Sequence, residues 1–288
     1  MSRLLDAVLP PRLGSGFRWL LASSWTSNLG DGIALAAGPL LVAALTDDAR
    51  LIALAATVQW LPPLVFGLLA GALADRHDRR AIVIGVDLAR AAVLAVLVTV
   101  ILTGHVSIGV VLVTLFVVST AEVFADNSSQ TMLPNLVARD DIAIANARLS
   151  TGFITVNQLA GPPLGAAMFA LGWALPFSAQ ALAVALGAVL MTRVVVARPP
   201  RPEVRQHLRT DISDGFRWVW HHAAVRTLVL TILVFNVTFG AAWSVLVIYA
   251  RDRLGLGPVG FGLVTTVSAV GGLRSEEHTS ELQSHLCI

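Results

Sequence analysis

Apolar stretches long enough to cross a lipid bilayer follow one another along this chain, separated mostly by breaks of a few residues. They run at roughly 19–45, 51–74, 81–103, 106–125, 151–171, 173–193 and 226–249, and an eighth starts near Val259 and stops after about 15 residues. A hydrocarbon core takes about 20 helical residues to span. Lipid cannot satisfy an open backbone N–H or C=O, so each run is expected to be a helix. The fold class is therefore an all-α polytopic membrane protein. Charged residues make up only 13% of the chain, against about 25% in a soluble domain.

Arginine placement orients the spans. With the amino terminus in the cytosol, Arg3, Arg12, Arg18, Arg76, Arg79, Arg80, Arg139, Arg148, Arg193, Arg198, Arg201, Arg205, Arg209, Arg217 and Arg226 all fall inside. Arg50, Arg251 and Arg253 fall outside. Fifteen against three is a strong bias under the positive-inside rule. The first span is too long for a signal-peptide core and is expected to be retained. The sole cysteine, Cys287, excludes an intrachain disulfide.

The chain divides into six spans over 1–193, a Pro- and Arg-rich cytoplasmic linker over 194–225, and the start of a second series over 226–273. A weak echo supports a repeat: Gly16-Phe17-Arg18-Trp19 precedes the first span and Gly215-Phe216-Arg217-Trp218 the seventh. Within the linker, Ile212, Phe216, Val219 and Trp220 share one helical face suited to the inner membrane surface. After Leu273 the apolar run breaks off into Arg274-Ser275-Glu276-Glu277-His278-Thr279-Ser280. This tail resembles translated sequencing-adapter read-through, so 274–288 are expected to be foreign to the gene.

Polar side chains within the spans are the functional candidates, because each is costly in lipid. Ser24, Asn28 and Asp31 form a stripe on one face of the first span. Asp31 is either a proton- or cation-binding acid or a packing partner for a neighbouring helix. Asp87 and Arg90 lie three residues apart on the third span, where they can neutralise each other. They either serve a substrate path or lock that helix. Glu122 and Asp126 stand at the expected inner end of the fourth span. Gln59, Asn157, Gln158 and Asn236 are either substrate contacts or interhelical hydrogen-bonders. Gly67 and Gly71 form a GxxxG step suited to a tight helix contact. No Gly-Lys-Ser/Thr phosphate loop occurs, which excludes an ATP-driven pump half. His221-His222 point to different helix faces, so neither a metal nor any other cofactor is expected.

Three segments resemble the major facilitator superfamily. Gly71-Ala72-Leu73-Ala74-Asp75-Arg76-His77-Asp78-Arg79-Arg80 is similar to its loop signature, Gly-x-Leu-Ala-Asp-Arg-x-Gly-Arg-Arg. It matches at Gly71, Leu73, Ala74, Asp75, Arg76, Arg79 and Arg80, and departs at Asp78. The family usually has glycine there, the residue that takes positive φ without strain. Gly161, Pro162 and Gly165 resemble the Gly-Pro-x-x-Gly part of an exporter-type motif. Gln130–Val137 with Ala145-Asn146-Ala147 resembles the macrolide-efflux and enterobactin-exporter-like branch. With Asp87–Arg90, the likeness covers roughly residues 20–272.

The resemblance implies two six-helix bundles rocking around a midplane site. It implies proton-coupled efflux of small drug-like or siderophore-like molecules by a monomer in the bacterial inner membrane, with lipid, substrate and protons as partners and no nucleic acid. Asp31 would carry the proton. Asp75, Arg76, Arg79 and Arg80 would latch the bundles on the cytosolic side. On this reading the chain is a fragment that does not transport alone. A transporter-like sensor or scaffold is the alternative, and no enzymatic constellation is present.

Overall fold

The computed structural model describes residues 11–195, 215 and 217–267. Most of the linker, including Ile212 and Phe216, and the whole 274–288 tail lie outside the described residues, as does the end of the eighth span. The described elements are helical. They are α1 (Gly14–Leu45), α2 (Ala49–Ala74), α3 (Arg79–Leu102), α4 (Ile108–Met132), α5 (Ile142–Gly152), a π-helical segment (Phe153–Ala160), α6 (Gly161–Leu171), α7 (Leu175–Met191) and α8 (Ala223–Asp252). A shorter apolar helix, α9 (Pro258–Val267), follows. Six of them, α1–α4, α7 and α8, are long and apolar enough to cross a membrane. α5, the π segment and α6 run on with helical backbone throughout and together form the fifth span.

Short polar breaks become turns because their residues satisfy the open ends of helices. Asp48 accepts the Arg50 N–H at 2.8 Å and Ser107 accepts the Val110 N–H at 3.4 Å, capping α2 and α4. α3 ends in a Schellman turn: Gly104 takes φ +74°, its N–H donates to the Ile101 carbonyl, and His105 N–H donates to Val100, both at 3.1 Å. Asp78 has φ −67° and caps α3 by accepting the N–H groups of Arg80 and Ala81 at 3.0 and 3.3 Å. Position 78 thus needs no positive φ, and aspartate there serves as a cap.

Two spans run longer than their apolar stretches. α4 continues past Asp126 to Met132, and the fifth span begins at Ile142 rather than near 151. In these polar ends Ser128 and Ala145 are buried, and Ser129, Gln130, Asn146 and Ser150 line the cavity described below. Glu122 and Asp126 therefore stand inside α4 and not at its end.

α1 packs against α7 and α6, α3 against α7 and α4, α2 against α4, and α8 against α2. One apolar cluster, around Leu41, Leu97 and Phe177, fills the end bearing the 46–48 and 103–107 turns. Another, around Phe17, Leu20 and Met132, fills the arginine-rich end. Outward residues such as Leu64, Leu68 and Leu182 are 63%, 71% and 72% exposed, the surface a bilayer would cover. Gly67 and Gly71 do not form the expected contact, since a Cβ on either would meet nothing within 4 Å among the described residues. The close crossings lie at α1 instead. A Cβ on Gly161 would fall 2.5 Å from Gly32, and one on Gly165 would overlap the Ile33 carbonyl.

Candidate transport cavity

Between the two apolar clusters lies a polar layer, and the backbone around Asp31 builds it. Gly30 lets α7 approach so closely that a Cβ would sit 2.8 Å from Ala183 Cβ. Gly32 does the same for the π segment, where a Cβ would overlap the Asn157 backbone. Flanked in this way, the Asp31 carboxylate accepts a hydrogen bond from Gln180 Nε2 at 3.1 Å. Asn157 Nδ2 donates to the Asn28 carbonyl at 3.2 Å.

Arg90 is the hub of the layer. Its side chain is 1% exposed, and its fork divides between helices. Nη1 donates to Asp87 Oδ1 at 3.0 Å on its own helix. Nη2 donates to Asp31 Oδ1 on α1 and lies 3.8 Å from Glu122 Oε2 on α4. Ser27 Oγ donates to the second Asp87 oxygen at 3.5 Å. The i,i+3 pair expected on the third span therefore does not neutralise itself in isolation. It ties α3 to α1 and reaches toward α4. The guanidinium fork lets two nitrogens of one side chain each serve a different acid.

One side of this layer faces a cavity of about 870 Å³. Its walls include Ser24, Asn28, Asp31 and Leu35 of the α1 stripe, and Glu122 and Asp126 of α4. Gln59, Asn157, Gln158 and Pro162 also line it. Asn236 does not: it is exposed on α8, with its amide donating to the Ile232 carbonyl at 2.8 Å. Asp87 and Arg90 stand behind the wall.

The apolar walls include Trp60, Phe177, Phe239 and Trp243. The last two belong to a stacked column on α8, with ring centroids 5.8 Å apart for Phe235–Phe239 and 5.6 Å for Phe239–Trp243. Sequence reasoning missed this column and Gln180. Both left a trace: aromatics at i, i+4 and i+8, and one amide inside an apolar run.

The tandem prolines explain the π segment. Pro162 and Pro163 lack N–H groups, so carbonyls one turn earlier lose their main-chain donors. The wider turn closes with Gly161 N–H donating to the Val156 carbonyl. The Leu159 carbonyl accepts from Thr266 Oγ1 of α9 at 3.3 Å. Such π segments recur where a helix must aim a side chain; here Asn157 is the one buried within it.

At the arginine-rich end, Arg79 and Arg80 of the 75–80 loop reach the ends of α4 and α7. Arg79 pairs with Asp75 at 3.1 Å and donates to the Thr131 carbonyl at 2.6 Å. Arg80 donates to the Thr192 carbonyl. Both carbonyls are open ends of helices, α4 and α7, which attract cations. Asp75 remains 69% exposed on its side chain. Among the described residues, no group of three or more His, Cys, Asp and Glu is arranged to hold a metal ion.

Residues 7–287 match the family described as transmembrane secretion effector. The chain is 30% identical to the multidrug efflux pump Tap of Mycolicibacterium fortuitum over 271 residues, 88% of this chain and 64% of that protein. It is 30% identical to macrolide efflux protein A of Streptococcus pyogenes over 157 residues, 54% of this chain and 38% of that protein. A macrolide efflux protein A of Enterococcus faecalis is 31% identical over 143 residues, 49% of this chain and 43% of that protein. The chain thus spans less than two thirds of the length of these relatives. The multi-pass helical fold and the family match together show that the chain belongs to the transmembrane secretion effector family of the major facilitator superfamily.

Proposed function

We propose that this protein works in proton-coupled efflux of small drug-like or siderophore-like molecules across the bacterial inner membrane, by alternating access. The observation that carries this reading is the Arg90 network, which stands behind the wall of a cavity with aromatic sides and reaches that wall through Asp31 and Glu122. Aromatic walls suit an amphipathic guest, and intramembrane acids suit proton movement. The names of the relatives support export. The arginine distribution supports a cytosolic amino terminus. Ser129, Gln130 and Asn146 carry the cavity wall toward the arginine-rich end, which is the face from which cytosolic substrate enters. At that face Asp75, paired with Arg79 but 69% exposed on its side chain, is placed to engage a second bundle.

Cells expressing the gene that encodes this chain are expected to accumulate less of a fluorescent amphipathic drug than empty-vector cells, and to lose the difference when a protonophore collapses the gradient. Equal accumulation in both would overturn the reading.

A further inference from the structure

Four carboxylates, Asp31, Asp87, Glu122 and Asp126, surround one guanidinium, and they are not equivalent. Asp31 and Asp87 side chains are 6% and 2% exposed, and each accepts donors from two residues: Asp31 from Arg90 and Gln180, Asp87 from Arg90 and Ser27. Glu122 shares the cavity wall with Asp31 but differs in exposure and in partners. Its side chain is 30% exposed, it lines the cavity, and its Oε2 stands 3.8 Å from Arg90 Nη2, beyond hydrogen-bond reach. Asp126, one turn along α4, shares the cavity wall and has no ion pair or hydrogen bond among the described residues. The Arg90 nitrogen that faces Glu122 is the one that bonds Asp31.

From this geometry we infer that Glu122, and not Asp31, is the carboxylate that exchanges the transported proton, with Asp31 and Asp87 as the fixed anchors of Arg90. This rests on the proton-coupled reading above. A hydronium ion entering the cavity gives its proton to Glu122, one O–H bond breaking as the carboxyl O–H forms and a water molecule being left, so that Glu122 loses its negative charge while Arg90 stays a cation throughout. With Glu122 neutral, Arg90 answers only to Asp31 and Asp87. With Glu122 ionised, the same Nη2 is drawn toward α4. Loss of the proton therefore changes the pull between α1 and α4 without breaking a donor to any anchor. The charged groups facing Glu122 are Asp31 from α1, Arg90 and Asp87 from α3, and Asp126 from its own helix. The π segment and α7 present only the neutral amides Asn157 and Gln180 to the layer.

Infrared difference spectroscopy of the 288-residue chain in lipid nanodiscs, followed across a pH titration, tests this without requiring transport. A protonated-carboxyl band is expected to titrate in the wild type, to vanish in Glu122→Gln, and to persist with an altered midpoint in Asp31→Asn. Glu122→Asp, which keeps the carboxyl, is expected to move the band and not abolish it. Circular dichroism of each variant checks that the helices remain. A band that survives Glu122→Gln, whichever other carboxyl carries it, would overturn the assignment, as would the absence of any titrating carboxyl. A Glu122 band in a protein that exports nothing would sink the efflux reading and leave the proton site standing.

Discussion

Asp31 changes meaning between sequence and structure. An acid in the middle of an apolar span reads as either a proton-binding group or a packing partner, because a linear sequence does not show which helix lies opposite. The fold sets Arg90 and Gln180 against it, and the glycines on either side admit the Gln180 helix at Gly30 and the Asn157 backbone at Gly32. Buried charges of this kind are costly to leave unpaired. Arg90→Met is therefore expected to destabilise the protein by about 3–5 kcal/mol, measured as the loss of helical ellipticity on denaturing-detergent titration. Combining it with Asp31→Asn and Asp87→Asn should recover much of that loss. Additive losses in the triple variant would show that the three side chains do not act as one network. The α1 polar stripe and the i,i+3 spacing of Asp87 and Arg90 were legible, since periodicity alone places them. Gln180 was not, because a single amide among apolar residues carries no period.

Elements show the same division. Apolar length located six helices of membrane length among the described residues, but not the ends of the fourth and fifth spans, because their continuation is polar and carries no hydropathy signal. The two small-residue motifs exchanged weight. Gly67 and Gly71 have open space around them, while Gly161 and Gly165 sit against the α1 backbone. Gly165→Ala is expected to cost about 1–3 kcal/mol through overpacking, and Gly67→Ala to stay within about 0.5 kcal/mol, in the same detergent titration. Comparable losses would contradict the crossing at Ile33. At the α3 start, Asp78→Ala should cost about 1 kcal/mol through the lost cap, whereas Asp78→Gly, the residue usual in the family, should cost a few tenths. Equal costs would show that the cap contributes nothing.

For the whole molecule, arginine bias and fold agree on which turns share an end, since the 75–78 turn and the 192–195 segment meet through Arg80. In a Cys287→Ser background, His105→Cys is expected to react with a membrane-impermeant maleimide in intact cells, and His77→Cys only after lysis. The reverse pattern would invert the proposed topology. The most direct test of the account is substrate-induced proton movement in proteoliposomes containing the protein encoded by the gene. With a pH dye on one side, adding an amphipathic drug should drive counter-movement of protons in the wild type. In Glu122→Gln, downhill drug flux should continue without any proton signal. Drug flux that proceeds in the wild type without proton movement, or that ignores an imposed pH gradient, would contradict coupling through the Arg90 network.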